Sequence, residues 1–310
     1  MPDTLLSPAQ TAARLPYPDL AREIAALLAD PAVQVPPRLV QPLPGGGSLF
    51  VMPAHDARVA ITKLISYTPA NAGTGRPAIQ GDVVVFDIAT GERRLVLDGP
   101  TVTARRTAAV SLLAAQTLAP NPQGPLLIVG AGVQGRAHLE AFAAGLGLRE
   151  VKIASRSAAS ARALADHART LGLQAEVIAD PNAALADCPM VVTCTPASGV
   201  VLRGTPRPDA FVAAVGAFTP RMVELSPELC RLFADRANVL VDTRDADHEA
   251  GDLLQAGLDV TQFATLQHVL LTKTNRPGST SGPVLFKSCG WAGWDLAAAR
   301  CAQSLWATQA

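Results

Sequence analysis

The rhythm of apolar and polar positions changes once along this 310-residue chain. Residues 1 to about 118 are mixed. Two short helical stretches come first, at about 7–14 and 17–29. Pro36, Pro37, Pro42 and Pro44 then break the chain, and Gly45-Gly46-Gly47 follows. Strand-like runs occupy 48–52 and 59–66. A hairpin pattern comes next: 82–87, a turn at Thr90-Gly91-Glu92, then 94–98. Together these runs describe a small antiparallel sheet. Residues 101–118, rich in Ala, Leu and Thr, read as one helix ending near Pro120.

Beyond Pro125 short apolar strands alternate with helical patterns. Strand candidates are 125–129, 151–154, 174–178, 190–194, 211–215 and 239–241, with helices at about 133–146 and 158–171. Apolar strands alternating with helices predict a parallel sheet covered on both faces. The segment at about 292–308 is expected to be an amphipathic helix, with Trp294, Ala297, Ala298 and Cys301 on one face. No internal repeat or low-complexity stretch interrupts this α/β pattern.

Composition excludes several function classes. Basic and acidic side chains number 26 each, so no charge excess points to nucleic acid or an anionic membrane. No run of roughly 18 apolar residues suggests a membrane span, and no secretory signal is visible at the N-terminus. The five cysteines (Cys188, Cys194, Cys230, Cys289 and Cys301) form no Cys-x-x-Cys pair. That pattern is expected of reduced thiols in the cytoplasm, lying in the core or on the surface.

Gly130-Ala131-Gly132-Val133-Gln134-Gly135 is a complete Gly-x-Gly-x-x-Gly between a predicted strand and a predicted helix. Gly130 permits the tight turn, Gly132 lets the backbone approach a pyrophosphate, and Gly135 lets the helix pack closely on the strand. The helix N-terminus offers N–H groups to phosphate. The next strand ends in Ala154-Ser155-Arg156-Ser157, where an NAD site usually carries an acid. Arg156 offers a fork suited to a 2′-phosphate, and Ser155 and Ser157 add donors. NADPH is therefore the expected cofactor, with NADH as the alternative. Thr193, Thr195 and Ser288 complete the set of cofactor-binding candidates.

Thr103-Ala104-Arg105-Arg106-Thr107-Ala108-Ala109 resembles a signature of the ornithine cyclodeaminase/mu-crystallin family. Leu43–Gly47 with Met52-Pro53-Ala54, Ile61-Thr62-Lys63, Val215–Pro220, Glu224-Leu225, and Val284–Gly290 with Asp295 match in the same order. The resemblance implies an NADP-binding Rossmann domain at 119–289, a doubly wound parallel sheet. It also implies a smaller α+β domain, 1–118 with 290–310, for substrate binding and homodimerisation. Arg106 matches the family arginine that grips the substrate carboxylate, Lys63 a lysine beside the reacting carbon, and Arg38 a second carboxylate-binding arginine. Lys63 and Arg106 are the expected catalytic pair, since a bidentate guanidinium fixes a planar carboxylate and aims its neighbouring carbon.

Two departures from the cyclodeaminase pattern redirect the expected substrate. Phe218 stands where those enzymes carry an acid after the fifth strand, and Phe50 where they carry a glutamate before Met-Pro. Ornithine has a distal ammonium that needs acidic partners. With phenylalanines in both places, a carboxylate on an apolar ring suits the site better, and Phe218 becomes a substrate-contact candidate. The Phe-Thr-Pro loop is similar to that of the family's bacterial ketimine reductases. The expected reaction is reduction of a small cyclic imino acid, Δ1-pyrroline-2-carboxylate to L-proline or Δ1-piperideine-2-carboxylate to L-pipecolate. Three alternatives stay open: a cyclodeaminase, an alanine dehydrogenase-like enzyme, and a mu-crystallin-like NADPH- and ligand-binding protein without turnover. Asp245, Asp247, His248, Glu249 and Asp252 read as a solvated helix start rather than a metal site, and His138 reads as a packing residue.

Overall fold

The computed structural model describes residues 4–71, 74–196, 198–236, 238–272 and 282–307. The chain divides into two compact units, Met1–Arg106 with Trp291–Ala310, and Thr107–Gly290.

The first unit begins with α1 (Pro8–Ala13) and α2 (Tyr17–Leu28), each opened by a proline in its first turn, where its missing N–H would be unpaired anyway. Five antiparallel strands follow in chain order: β1 (Leu39–Leu43), β2 (Gly47–His55), β3 (Val59–Tyr67), β4 (Ile79–Asp87) and β5 (Arg93–Asp98). The proline-rich segment is not merely a break, because β1 lies within it and Pro42 pairs with Ser48. An edge strand keeps one side of its ladder open, so it tolerates a residue without an N–H. Along β3, Val59, Ile61, Lys63 and Ile65 are buried in strict alternation. Three of these are the apolar residues that a half-covered sheet requires, and Lys63 is the exception. Helix α3 (Gly99–Leu118) then runs across the division between the units.

The second unit comprises β6 (Leu126–Val129), α4 (Val133–Leu146), β7 (Glu150–Ala154), α5 (Ala158–Thr170), β8 (Gln174–Ile178), α6 (Pro181–Ala184) and β9 (Met190–Thr193). It continues through β10 (Ser198–Leu202), β11 (Phe211–Ala214), β12 (Val223–Leu225), α7 (Pro227–Ala234), β13 (Val239–Val241), α8 (Ala246–Glu249) and α9 (Gly251–Gln255). It closes with β14 (Ala264–Thr265), α10 (Leu266–Thr272) and β15 (Val284–Lys287). Eight parallel strands lie in the order β14-β13-β15-β11-β9-β6-β7-β8. The chain builds outward from β6 to β8, returns to β9 beside β6, and builds the other way. Because crossovers are right-handed, this reversal puts the connecting helices on opposite faces and opens a crevice at the carboxyl ends of β6 and β9. The central strands β6, β9, β11 and β15 are buried at every residue, as a sheet covered on both faces demands. This unit is a Rossmann-type doubly wound fold, and the first is a smaller α+β unit.

The last element, α11 (Ala292–Ala307), belongs to the first unit and packs on α2, β2 and β3. It was expected to be amphipathic, but Trp294, Asp295, Leu296, Ala297, Ala298 and Ala299 are all fully buried, and Arg300 nearly so. A helix apolar on nearly all sides is an interior helix. Arg300 is anchored by Asp30 beyond α2 and Asp56 in the β2–β3 turn.

Candidate active site

In the Rossmann unit the Gly-rich segment forms the turn from β6 into α4. Gly130 has a φ of +115°, a region that side chains disfavour. Gly132 is the N-cap of α4 and offers no side-chain cap, so the first N–H groups of that helix are open to an anion. A cavity of about 750 Å³ begins here, at the carboxyl ends of β6, β7 and β9. Gly130, Ala131, Gly132, Val133 and Gln134 line it, together with Ser155, Arg156, Ser157 and Thr195. A Cβ added to Gly132 would meet nothing within 4 Å. The turn thus leaves open the space that a pyrophosphate needs, and the cradle fits a dinucleotide.

The other cofactor candidates are placed differently. Gly135 is buried under the turn. The Thr193 hydroxyl is fully buried and donates to Glu224 (2.9 Å), and that of Ser288 donates to Asp242 (2.8 Å). Arg156 is exposed at the rim of the cavity, with no ion-pair partner among the described residues. The Ser157 hydroxyl caps α5 by accepting from the Ser160 N–H (3.2 Å). Cys194 also lines the cavity. Its thiol donates to the Gly130 carbonyl (3.2 Å), and burial pushes its pKa well up, so it is a packing thiol rather than a nucleophile.

A buried charge network holds the loops that leave β9 and β11. Glu224 accepts from the Thr195 N–H (2.6 Å), the Thr195 hydroxyl (2.8 Å) and the Gly216 N–H (2.7 Å). Asp252 accepts from the N–H groups of Glu224 and Leu225 (2.6 and 2.9 Å) and pairs with Lys287 at 2.9 Å. From sequence, Asp252 is expected to lie in a solvated helix start. It is buried instead, because Lys287, rising from the apolar strand β15, needs a counter-ion. Phe218, in the loop after β11, is 51 % exposed. His138 is fully buried, with Nδ1–H donating to the Gln134 carbonyl (2.8 Å) and Nε2 beside the Ser111 hydroxyl (2.9 Å).

In the α+β unit, Lys63, Arg106 and Asp295 converge. Lys63 Nζ lies 3.2 and 3.4 Å from the two Asp295 oxygens. Arg106 Nε lies 3.3 Å from Asp295 Oδ1, at ion-pair distance but without hydrogen-bond alignment. The side chains of Lys63, Asp295 and Arg106 are 1 %, 0 % and 8 % exposed. Burial pulls the Lys63 pKa down to about 8; Asp295 works against that fall, while Arg106 and Arg38 add to it. Arg38 itself is exposed, one residue ahead of β1. Met52 on β2 and Val83 on β4 flank Lys63 in register. Phe50, two residues before Met52, shares that face of the sheet.

Lys63 and Arg106 stand out in the sequence, whereas Asp295 has no evident role there. A signal was present: Asp295 interrupts an apolar run, Trp294-Asp295-Leu296-Ala297-Ala298-Ala299, and a carboxylate inside a buried helix needs cationic partners. It could not say which cations, because they lie far away in sequence.

The sequence pattern of the ornithine cyclodeaminase/mu-crystallin family matches residues 17–309. The chain is 40% identical over 304 residues to Δ1-pyrroline-2-carboxylate reductase 1 of Burkholderia multivorans, covering 95% of this chain and 93% of that protein. It is 40% identical over 314 residues to the Δ1-pyrroline-2-carboxylate/Δ1-piperideine-2-carboxylate reductase of Azospirillum brasilense, covering 97% of each. The fold is similar to that of Thermococcus litoralis Δ1-pyrroline-2-carboxylate reductase, solved with NADH and L-proline, at a TM-score of 0.89, 22% identity and 97% coverage of both chains. With its family pattern matched over nearly its whole length, and its Rossmann cradle and buried basic pair in place, the chain belongs to the ornithine cyclodeaminase/mu-crystallin family.

Proposed function

We propose that this protein reduces small cyclic ketimines bearing a carboxylate, Δ1-pyrroline-2-carboxylate to L-proline and Δ1-piperideine-2-carboxylate to L-pipecolate, with NADPH. The observation that carries this reading is that two buried cations, Lys63 and Arg106, share one carboxylate, Asp295. A buried cluster with surplus positive charge favours an anionic ligand. The Arg106 fork holds the substrate carboxylate, assisted by Arg38, and fixes the neighbouring C=N carbon. Phe50, which shares the Lys63 face of the sheet and stands where cyclodeaminases carry a glutamate, favours an apolar ring over a distal ammonium. Two relatives at 40% identity carry pyrroline-2-carboxylate reductase names, and one of them includes the six-membered substrate.

When bound, the nicotinamide supplies a hydride. The chain's own part is to hold the pyrophosphate on the open N-terminus of α4, to receive a 2′-phosphate on Arg156 and Ser155, and to position the imino acid. We further propose that the protein works as a cytoplasmic homodimer, by analogy with its family.

The test is NADPH oxidation with each cyclic imine, run beside NADH, pyruvate with ammonia, and ornithine. Rapid, ammonia-independent oxidation with the imines supports the proposal. Turnover only with pyruvate and ammonia, ammonia release from ornithine, or tight NADPH binding without any turnover each replaces it with the corresponding alternative.

A further inference from the structure

We propose that Asp295 is the positioning residue of imine reduction, holding the Lys63 ammonium charged and in place so that Lys63 gives the proton to the imine nitrogen. This inference rests on the ketimine reading above. It adds the proton source and the residue that governs it.

The geometry carries it. Both Asp295 oxygens lie within 3.4 Å of Lys63 Nζ, so one carboxylate fixes the end of a side chain that otherwise has four rotatable bonds. An ammonium has three N–H donors, and two acceptor atoms on the same side leave donor capacity for a substrate atom. Around Lys63 the charged groups are Asp295 from α11, Arg106 from α3 and Arg38 ahead of β1. Its strand neighbours Met52 and Val83 carry no charge. Asp295 alone among these favours the charged lysine; both guanidiniums and burial oppose it. The balance leaves Lys63 titrating at about 8, close to neutral pH, where a general acid both keeps its proton and gives it up readily. Without Asp295, burial and both guanidiniums would all favour the neutral amine.

The imine nitrogen takes one proton from Lys63 Nζ. The imine carbon accepts a hydride, with its electron pair, from a reduced nicotinamide dinucleotide, and the C=N π pair becomes the lone pair of the amine. Lys63, left neutral, recovers a proton from water. One imine, one hydride and one proton yield one cyclic amine and one oxidised dinucleotide.

The test joins a titration with a rate profile. The sequence has four lysines, Lys63, Lys152, Lys273 and Lys287. In protein labelled with 13C-lysine, the Lys63 Cε resonance is therefore assigned by its loss in Lys63→Arg. Its midpoint is followed in the wild type, Asp295→Asn and Asp295→Glu, beside kcat/KM for Δ1-pyrroline-2-carboxylate and NADPH. In the wild type the alkaline limb of kcat/KM is expected to coincide with the Lys63 midpoint near 8. In Asp295→Asn both move to lower pH together, so the rate at pH 8 falls about tenfold more than the rate at pH 6. Asp295→Glu retains the wild-type midpoint while kcat falls. A purely structural Asp295 would lower the rate at every pH and leave the limb in place, which overturns the inference. So does a limb that stays put while Lys63 titrates lower. If Asp295→Asn does not fold, the wild type still decides, because a limb that does not coincide with the Lys63 midpoint overturns the inference. A wild type that turns over the imine with an unmatched limb sinks this inference alone; one that turns over no imine sinks the ketimine reading with it.

Discussion

A Cβ on Gly135 would stand 2.0 Å from the carbonyl oxygen of Gly130, so the turn after β6 and the helix it feeds touch backbone to backbone. Gly132, between them, has open space and a φ of −89° that alanine adopts freely. The two glycines should therefore fail differently. Gly135→Ala is expected to lower the melting temperature of the free protein. Gly132→Ala should leave it unchanged, yet weaken NADPH binding by about tenfold or more, since a methyl group intrudes on the pyrophosphate. Thermal melts without ligand and calorimetric titration with NADPH separate the two effects. An unaltered NADPH affinity in Gly132→Ala would rule out this turn as the cofactor cradle.

Arg156 is expected to set the preference between the two dinucleotides. A hydrogen bond to a charged group contributes about 1.5–3 kcal/mol. Arg156→Ala should thus weaken NADPH binding by about 10- to 100-fold and leave NADH nearly unchanged. Equal losses for both cofactors would assign Arg156 to the shared part of the dinucleotide and remove the basis for NADP specificity.

Arg106→Lys keeps the charge beside Asp295 but loses the planar fork. Its kcat/KM for the imino acid should fall by about 100-fold while the NADPH dissociation constant stays within about twofold. A wild-type kcat/KM would mean that the carboxylate is held elsewhere.

His138 should make the protein sensitive to acid. Burial pulls its pKa down to about 4 in the folded protein from 6.5. The unfolded chain therefore binds the proton more readily, and stability that is complete above pH 6.5 is lost as the pH falls toward 4. For a buried group with this displacement the loss approaches about 3 kcal/mol. Urea unfolding at pH 7 and pH 4.5 measures it, and His138→Gln should remove most of the difference. Undiminished acid sensitivity in that variant would assign the effect to carboxylates.

The parts of this fold that announce themselves in the sequence are those whose cause is local. Gly130, Gly132 and Gly135 sit at fixed offsets after a short apolar strand, and the offsets themselves encode the turn. Alternation along Val59, Ile61 and Ile65 marks a half-covered strand in the same way. What stayed hidden depends on partners distant in the chain. β15 lies between β11 and β13, an order that no window of residues contains. Asp252 reads as one more acid in a polar run until Lys287 is seen against it. The interior character of α11 follows from what surrounds it, so the expected amphipathic face became burial on nearly all sides. Asp295 and Lys63 are separated by 232 positions, and Lys63 shows its exception to the strand pattern only once the counter-ion is known.

Such separation has a consequence for how the polypeptide matures on the ribosome. Thr107–Gly290 is one continuous stretch, so the Rossmann half can condense as soon as it clears the exit tunnel. The other half is split, and its five strands are synthesised long before the helix that seals them. Until residues 292–307 emerge, the face carrying Met52, Ile61, Lys63 and Ile65 has no α11 to lie under, and such bared apolar surface invites aggregation. The buried pair is thereby also a timing device: Lys63 acquires its counter-ion only after every other element of both units has been synthesised.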